Sequence, residues 1–128
     1  MRLLLDTHAL YWYVEDHPQL SKSAQQLIQD ASNEILISPA SYWEMAIKIS
    51  IGKWRLNDPY EKFLDIAINS YGFEILPILP THTQEVVGLP FHHRDPFDRL
   101  LVSQAIAERI PIVSSDSNFD RYSVTRLW

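Results

Sequence analysis

Three short runs, Leu3-Leu4-Leu5, Ile35-Leu36-Ile37 and Ile112-Val113, are apolar at every position and give way to polar residues: Asp6, Ser38, and Ser114-Ser115-Asp116. A strand with one wet face alternates apolar and polar side chains, whereas a strand covered on both faces does not. Here such strands alternate with helix patterns. The combination predicts an α/β fold, a three-layer α/β/α arrangement around a mainly parallel central sheet. Right-handed crossovers then bring the C-terminal ends of all strands to one edge. In open sheets of this kind that edge is where ligands bind.

The punctuation between strands is clear. A strand over Arg2–Leu5 leads into a helix from about Thr7 to Val14. Ser21 caps a second helix, with Ala24, Leu27, Ile28 and Ala31 on one face. A strand over Glu34–Ser38 runs into a helix capped by Ser38, with Pro39 in first position, extending to about Ile51. Gly52 ends it. Asp58-Pro59-Tyr60-Glu61 predicts another capped start, with Tyr60, Phe63, Leu64, Ala67 and Tyr71 forming its apolar face and Gly72 its end. Phe73–Ile78 is a predicted strand. Thr81-His82-Thr83-Gln84 is a predicted capping box, with Gly88 as the stop. Asp95-Pro96 opens a helix to about Arg109. Strands over Ile112–Ser115 and, at an edge, Ser123–Leu127 complete the chain. The spacing places Gly52, Gly72 and Gly88 at helix ends, where a left-handed residue is wanted. No repeat or linker divides the sequence, so residues 1–128 are expected to form one domain.

Composition bears on what such a domain can do. Of the 128 residues, 46% are hydrophobic, enough for a packed core and too many for a disordered chain. The longest apolar run, Ala9–Val14, is six residues, against roughly 18–20 for a membrane span. Asp6 interrupts the opening leucines too early for a secretory leader. Cysteine is absent, which excludes disulfides and thiolate metal sites. A soluble, cytoplasmic protein with no membrane role is the expectation. The net charge of -5 argues against a general nucleic-acid binder, unless the acids are gathered around a cation.

Their positions suggest that they are. Asp6 and Asp116 stand at equivalent strand exits and so at one sheet edge. Glu44 lies one to two turns into the helix that begins there after Ser38. Asp98 lies in the first turn of the helix opened by Asp95. Each has a structural explanation of its own. Asp6 and Asp116 could be turn residues, Glu44 could close a capping box with Ser41, and Asp98 could answer the helix dipole. Caps do not explain the paired strand exits. Carboxylates brought together raise one another's pKa unless a divalent cation compensates them. All-oxygen ligands favour Mg²⁺, or Mn²⁺, over Zn²⁺. Such an ion activates water and stabilises charge on phosphoryl oxygens, so an acidic chain can act on a nucleic-acid backbone.

Four stretches carry a resemblance: LLLDTHALYWY (Leu3–Tyr13), ISPASYWEMAIKISIGK (Ile37–Lys53), HRDPFDRLLVSQAIAE (His93–Glu108) and PIVSSDSNFDRY (Pro111–Tyr122). In their order and spacing they resemble the PIN-domain ribonucleases, and among them the VapC-type toxins of bacterial toxin–antitoxin pairs. The resemblance implies a Mg²⁺-dependent endoribonuclease of a type II toxin–antitoxin system. Asp6, Glu44, Asp98 and Asp116 would be its catalytic, metal-holding quartet, and Thr7 the hydroxyl residue that follows the first acid. Asp120 is a candidate auxiliary acid, and Asp95 is left as the helix cap. It also implies a homodimer and a cognate antitoxin seated on an apolar groove. Ser115 is a departure, because many relatives carry a basic residue just before the last acid.

Lys48, Lys53, Arg55, Arg94 and Arg99 flank the acids in sequence and are candidate RNA contacts. His92 and His93 are adjacent on a loop without metal-site spacing, so structural or substrate-contact roles are expected rather than ligation. Tyr11, Trp12, Tyr13, Tyr42, Trp43 and Trp54 could stack bases, though helical spacing favours core or interface packing. Two other acidic Mg²⁺ folds do not fit. A receiver-type phosphoacceptor needs an Asp after the middle strand, where Leu79-Pro80 stand. A haloacid-dehalogenase-type phosphatase needs D-x-D, where Asp6-Thr7-His8 stand. The alternative reading is a PIN-like module that binds RNA or protein without cutting.

Overall fold

The computed structural model describes residues 1–128. β1 (Arg2–Leu5), α1 (Thr7–Val14), α2 (Lys22–Gln29), β2 (Glu34–Ile37) and α3 (Pro39–Ser50) come first. α4 (Tyr60–Asp65) passes into a π-helical turn over Ile66–Ser70 and then β3 (Glu74–Ile75). α5 (Pro80–Val87), α6 (Pro96–Glu108), β4 (Ile112–Val113), a 3-10 turn over Ser117–Arg121 and β5 (Arg126–Leu127) complete the chain.

All strand pairs are parallel, in the order β3-β2-β1-β4-β5. The chain steps one way from β1 to β3 and returns on the other side of β1 for β4 and β5. The direction therefore reverses between β1 and β4, and a crevice opens at such a switch point beyond the strand ends. Leu3 and Leu5 of β1 and Ile35 and Ile37 of β2 face one core with Ala9, Leu10, Ala24, Ile28, Met45 and Phe63 from α1 to α4. Leu4 and Leu36 face the other, with Leu101, Val102 and Ala105 of α6 and Phe119. Successive strand residues point to opposite faces, so runs apolar at every position feed two cores. This is the expected three-layer fold, with every strand pair parallel.

Several boundaries differ from the sequence expectation. The strand expected over Phe73–Ile78 is only Glu74–Ile75. Leu76 makes one further bond, its N–H to the Ile37 carbonyl at 2.8 Å, and Pro77 then has no N–H to give. The carbonyls of Leu76 and Pro77 instead accept from Gln104 Nε2 of α6. α5 starts at Pro80, two residues earlier than its expected box, because His82 Nδ1 accepts from the Leu79 N–H at 3.0 Å. Asp58 is no cap; it pairs with Lys62 at 3.3 Å. Gly52 and Gly72 are left-handed as expected, but Gly88 is not. The left-handed residue that ends α6 is Arg109, at φ +56°. No helix is long and apolar enough to cross a membrane.

Candidate functional site

The switch-point crevice is where the sequence places Asp6 and Asp116. The Asp6 N–H continues the ladder to the Val113 carbonyl at 3.1 Å, which fixes the exit of β1 beside that of β4. Asp6 then caps α1, its Oδ1 accepting from the Ala9 N–H at 2.8 Å. Asp116 caps the 3-10 turn in the same way, Oδ1 accepting from the Asn118 N–H at 2.9 Å. In each case the cap engages one carboxylate oxygen and so sets the direction of the other. Capping and convergence are therefore not rival explanations. Ser114 bears on both acids: its hydroxyl oxygen accepts from the Asp116 N–H at 3.0 Å, and its side chain lowers the Asp6 carboxyl's pKa.

Glu44 comes from the second turn of α3 and is buried. The Thr7 hydroxyl donates to its Oε1 at 2.9 Å, and Lys48 Nζ, one turn on, donates to its Oε2 at 2.8 Å. Ser41 does not box with Glu44. Its Oγ lies 3.1 Å from that of Thr7, inside the helix that Ser38 caps. Asp98 is in the first turn of α6, whose cap is Asp95 through bonds from the Phe97 and Asp98 N–H groups. The Asp98 carboxylate accepts no hydrogen bond within the chain.

Burial pushes the Asp6 carboxyl up to about 6. The Ser114 and Ala9 hydrogen bonds work against that rise, and the charges of Asp116 and Glu44 add to it. Asp98 is pushed up to about 7, first by burial, then by Asp95, with Glu44 and Asp6 contributing and His93 opposing. Asp6 and Asp98 thus each feel acids supplied by other segments of the chain. Lys48 neutralises part of this charge at Glu44. Oxygen donors that are buried and only partly neutralised are the set a hard divalent cation takes.

His93 stands in the same pocket, which the sequence reading did not anticipate. Ligand atoms of His93, Asp98 and Asp116 all lie within 4.8 Å of one another. Its Nε2 is 2.8 Å from Asp116 Oδ2, and its Nδ1 is 3.1 Å from the Tyr122 hydroxyl. That hydroxyl oxygen also accepts from the His93 backbone N–H at 2.9 Å, leaving the phenolic proton to donate to Nδ1. A neutral ring is then protonated at Nε2, and Nε2–H donates to Asp116. In this arrangement His93 orients an acid and is not itself a ligand. The ring is held by stacking on Tyr122, 13° from parallel, and against Phe119. His92 rests edge-on against Tyr122.

Two candidates fall away. Arg99 is buried, not an RNA contact: its guanidinium donates to the carbonyls of Pro90, Leu89 and Val86 and lies over the Phe91 ring. It ties the loop after α5 to α6. Asp120 is exposed and directed away from the role of auxiliary acid by Arg126, which binds both its oxygens at 2.9 and 3.0 Å. Arg94, Lys53 and Arg55 are exposed and make no ion pair. Ser114, Ser41 and His93 were missed as site residues. For Ser114 a signal existed, since a hydroxyl in a strand buried on both faces needs a partner.

Comparison with known proteins bears on the family and the fold. The family model described as PIN domain matches residues 3–124. Ribonuclease VapC22 of Mycobacterium tuberculosis is 29% identical over 115 residues, 89% of this chain and 86% of that protein. Ribonuclease VapC16 of the same organism is 32% identical over 71 residues, 52% and 50% of the two chains. The crystal structure of VapBC2 from Rickettsia felis, bound to a DNA fragment from their promoter, superposes with a TM-score of 0.74 at 22% identity, covering 100% of this chain and 99% of that one. VapBC-1 from nontypeable Haemophilus influenzae gives 0.67 at 16%, over 99% and 97%. The match over nearly the whole length and the shared fold lead to one statement: this chain belongs to the PIN domain family.

Proposed function

We propose that the protein is a Mg²⁺-dependent endoribonuclease, able to use Mn²⁺, that hydrolyses RNA phosphodiester bonds as the toxin of a type II toxin–antitoxin pair. The observation that carries this reading is the convergence of Asp98 and Asp116 with His93 at the switch point between β1 and β4, where the charges of Asp6 and Glu44 are also felt. The four acids would hold the cation. When bound, it supplies Lewis acidity toward phosphoryl oxygens and water. The protein's own part is to arrange the acids. Thr7 and Lys48 hold both oxygens of Glu44. Ser114 bears on Asp6 and Asp116, and His93 directs Asp116 Oδ2. Asp98, free of internal partners, is available to the ion.

Ribonuclease names among the relatives and the fold shared with VapBC assemblies support the same activity and an antitoxin partner; a homodimer and a cytoplasmic site of action belong to the same proposal. The match over residues 3–124 supports one nuclease unit. Trp43 and Ile47 on α3, Ile51 just past its end, and Val87 and Phe91 near the end of α5, are large apolar groups left in water that such partners would cover. A short DNA-binding protein encoded next door, co-purifying with this chain, would identify the antitoxin.

The test is RNA cleavage by purified protein with Mg²⁺, with EDTA, and with Asp6→Asn. Cleavage only by the unmodified chain with metal is expected. Activity that survives both EDTA and the substitution contradicts the mechanism. Absence of cleavage on any RNA favours the non-catalytic binding module.

A further inference from the structure

His93 meets the requirements of a metal ligand as well as those of a group that steers a carboxylate. Its side chain is buried. The ring lies 13° from parallel on Tyr122 and packs against Phe119, and the backbone N–H is tied to the Tyr122 hydroxyl at 2.9 Å. The Nε2 edge faces Asp116 Oδ2 at 2.8 Å, and ligand atoms of His93, Asp98 and Asp116 converge within 4.8 Å. Asp98 has no hydrogen bond within the chain to give up. Behind the ring, the Tyr122 hydroxyl lies 3.1 Å from Nδ1. A histidine that binds a metal through one nitrogen needs an oxygen at the other to hold the ring and its tautomer, and Tyr122 supplies that oxygen. One imidazole nitrogen and two carboxylates therefore meet with their supporting contact already in place.

We infer that His93, Asp98 and Asp116 form an inhibitory Zn²⁺ site, with a mixed donor set that differs from the all-oxygen set proposed for Mg²⁺. Mg²⁺ takes oxygen and has little use for imidazole. Zn²⁺ takes nitrogen and oxygen together, often with three protein ligands and an open fourth position. With Mg²⁺, the ring keeps its proton on Nε2 and only orients Asp116. With Zn²⁺, Nε2 gives up that proton and donates its electron pair to the metal, while Nδ1 gains a proton and donates it to the Tyr122 oxygen. That oxygen has two lone pairs, one for Nδ1–H and one for the His93 backbone N–H, and its own proton turns away from the ring. The imidazole is neutral in both states, so the change is a tautomer shift with no net proton released. Zinc binding stands on this geometry alone; inhibition rests on the nuclease reading above. Asp98 and Asp116 serve both cations, so zinc excludes Mg²⁺ from the pocket. A mixed nitrogen–oxygen site binds Zn²⁺ well above Mn²⁺ in the usual order of affinities, so zinc acts at concentrations far below those of Mg²⁺.

The probes are Zn²⁺ and Mg²⁺ as chlorides, added to the metal-free chain. Long-range nitrogen–proton NMR of the unmodified protein reads the His93 tautomer. Nε2–H is expected without metal and with Mg²⁺, and Nδ1–H with Zn²⁺. Affinity is measured by competition with a chromogenic zinc chelator. His93→Gln, whose amide can still donate to Asp116 but offers no nitrogen electron pair, should lose at least about 100-fold in Zn²⁺ affinity and less than about threefold in Mg²⁺ affinity. His93→Ala, which also releases Asp116, weakens both. In RNA cleavage with Mg²⁺, added Zn²⁺ should stop the unmodified chain at a concentration at least about tenfold below that needed for His93→Gln. Nε2–H retained with Zn²⁺ bound, or equal Zn²⁺ affinity in His93→Gln and the unmodified chain, overturns the proposal, and the NMR result holds whether or not the variant folds. Cleavage sustained by Zn²⁺ in place of Mg²⁺ overturns the inhibitory role. If zinc shifts the tautomer but RNA is never cut with Mg²⁺, the nuclease reading fails and the zinc site stands; Mg²⁺-dependent cleavage with a ring indifferent to zinc gives the reverse.

Discussion

Asp6 and Asp98 place opposite demands on folding and on cation binding. Their folded pKa values, about 6 and about 7, lie above the ordinary carboxyl value of 3.8. Between roughly pH 4 and 7 the folded chain therefore holds protons that the unfolded chain has released, and metal-free stability falls as pH rises through this window. For Asp6 the rise corresponds to about 3 kcal/mol against the ionised fold. Asp6→Asn, which removes the charge but keeps an acceptor for Ala9, should stabilise the metal-free protein at pH 8 by about 1–2 kcal/mol. Thermal melts in EDTA check the sign. Cation binding reverses the trend, since it requires the ionised acids. The melting shift produced by Mg²⁺ should be large at pH 8 and small at pH 5.5, and a shift independent of pH would remove these groups from the site. His93 bonds to Asp116 and lies close to Asp98. His93→Ala should lower Mn²⁺ affinity by about 10- to 100-fold, and Tyr122→Phe, which loses both the proton to Nδ1 and the acceptor for the His93 N–H but keeps the ring, by less. The strand exits made Asp6 and Asp116 readable from sequence, because their position follows from local pattern. His93 was not readable, because its place depends on Tyr122, 29 residues away.

At the level of elements, sequence was informative wherever an element is fixed by its own residues. Ser38-Pro39 starts α3, Asp95-Pro96 starts α6, and the leucines of β1 fill both cores, all from local signals. The expectation failed where a distant group supplies the missing bond. Gln104 draws the end of β3 away from the sheet, and the His82 ring takes the cap expected of a side chain two residues on. The π-helical turn at Ile66–Ser70 leaves a helical apolar pattern intact and is silent in sequence. Arg99 belongs to the same class: nothing local separates a surface arginine from one that satisfies three carbonyls. Arg99→Ala should cost about 2–4 kcal/mol in chemical denaturation, because buried carbonyls lose their donor. By contrast, Arg109→Gly relieves a left-handed non-glycine residue and should stabilise by about 0.5–1 kcal/mol.

For the whole molecule, topology gives the acids their meeting place. With β1 central and the chain turning back between β1 and β4, the first strand exit and the last catalytic candidate become neighbours though 110 positions separate Asp6 from Asp116. α3 and α6 then contribute Glu44 and Asp98 from either side. A net negative charge is no obstacle to the proposed RNA substrate when the acids surround a cation. The direct measurement is a crystal soaked in Mn²⁺ with data collected at the manganese edge, for the unmodified chain and for Asp6→Asn. An anomalous peak is predicted within about 2–2.5 Å of carboxylate oxygens from Asp6, Asp98 or Asp116, and it should be absent or much weaker in the variant. No peak in that pocket at saturating manganese, or a peak untouched by Asp6→Asn, would contradict the account.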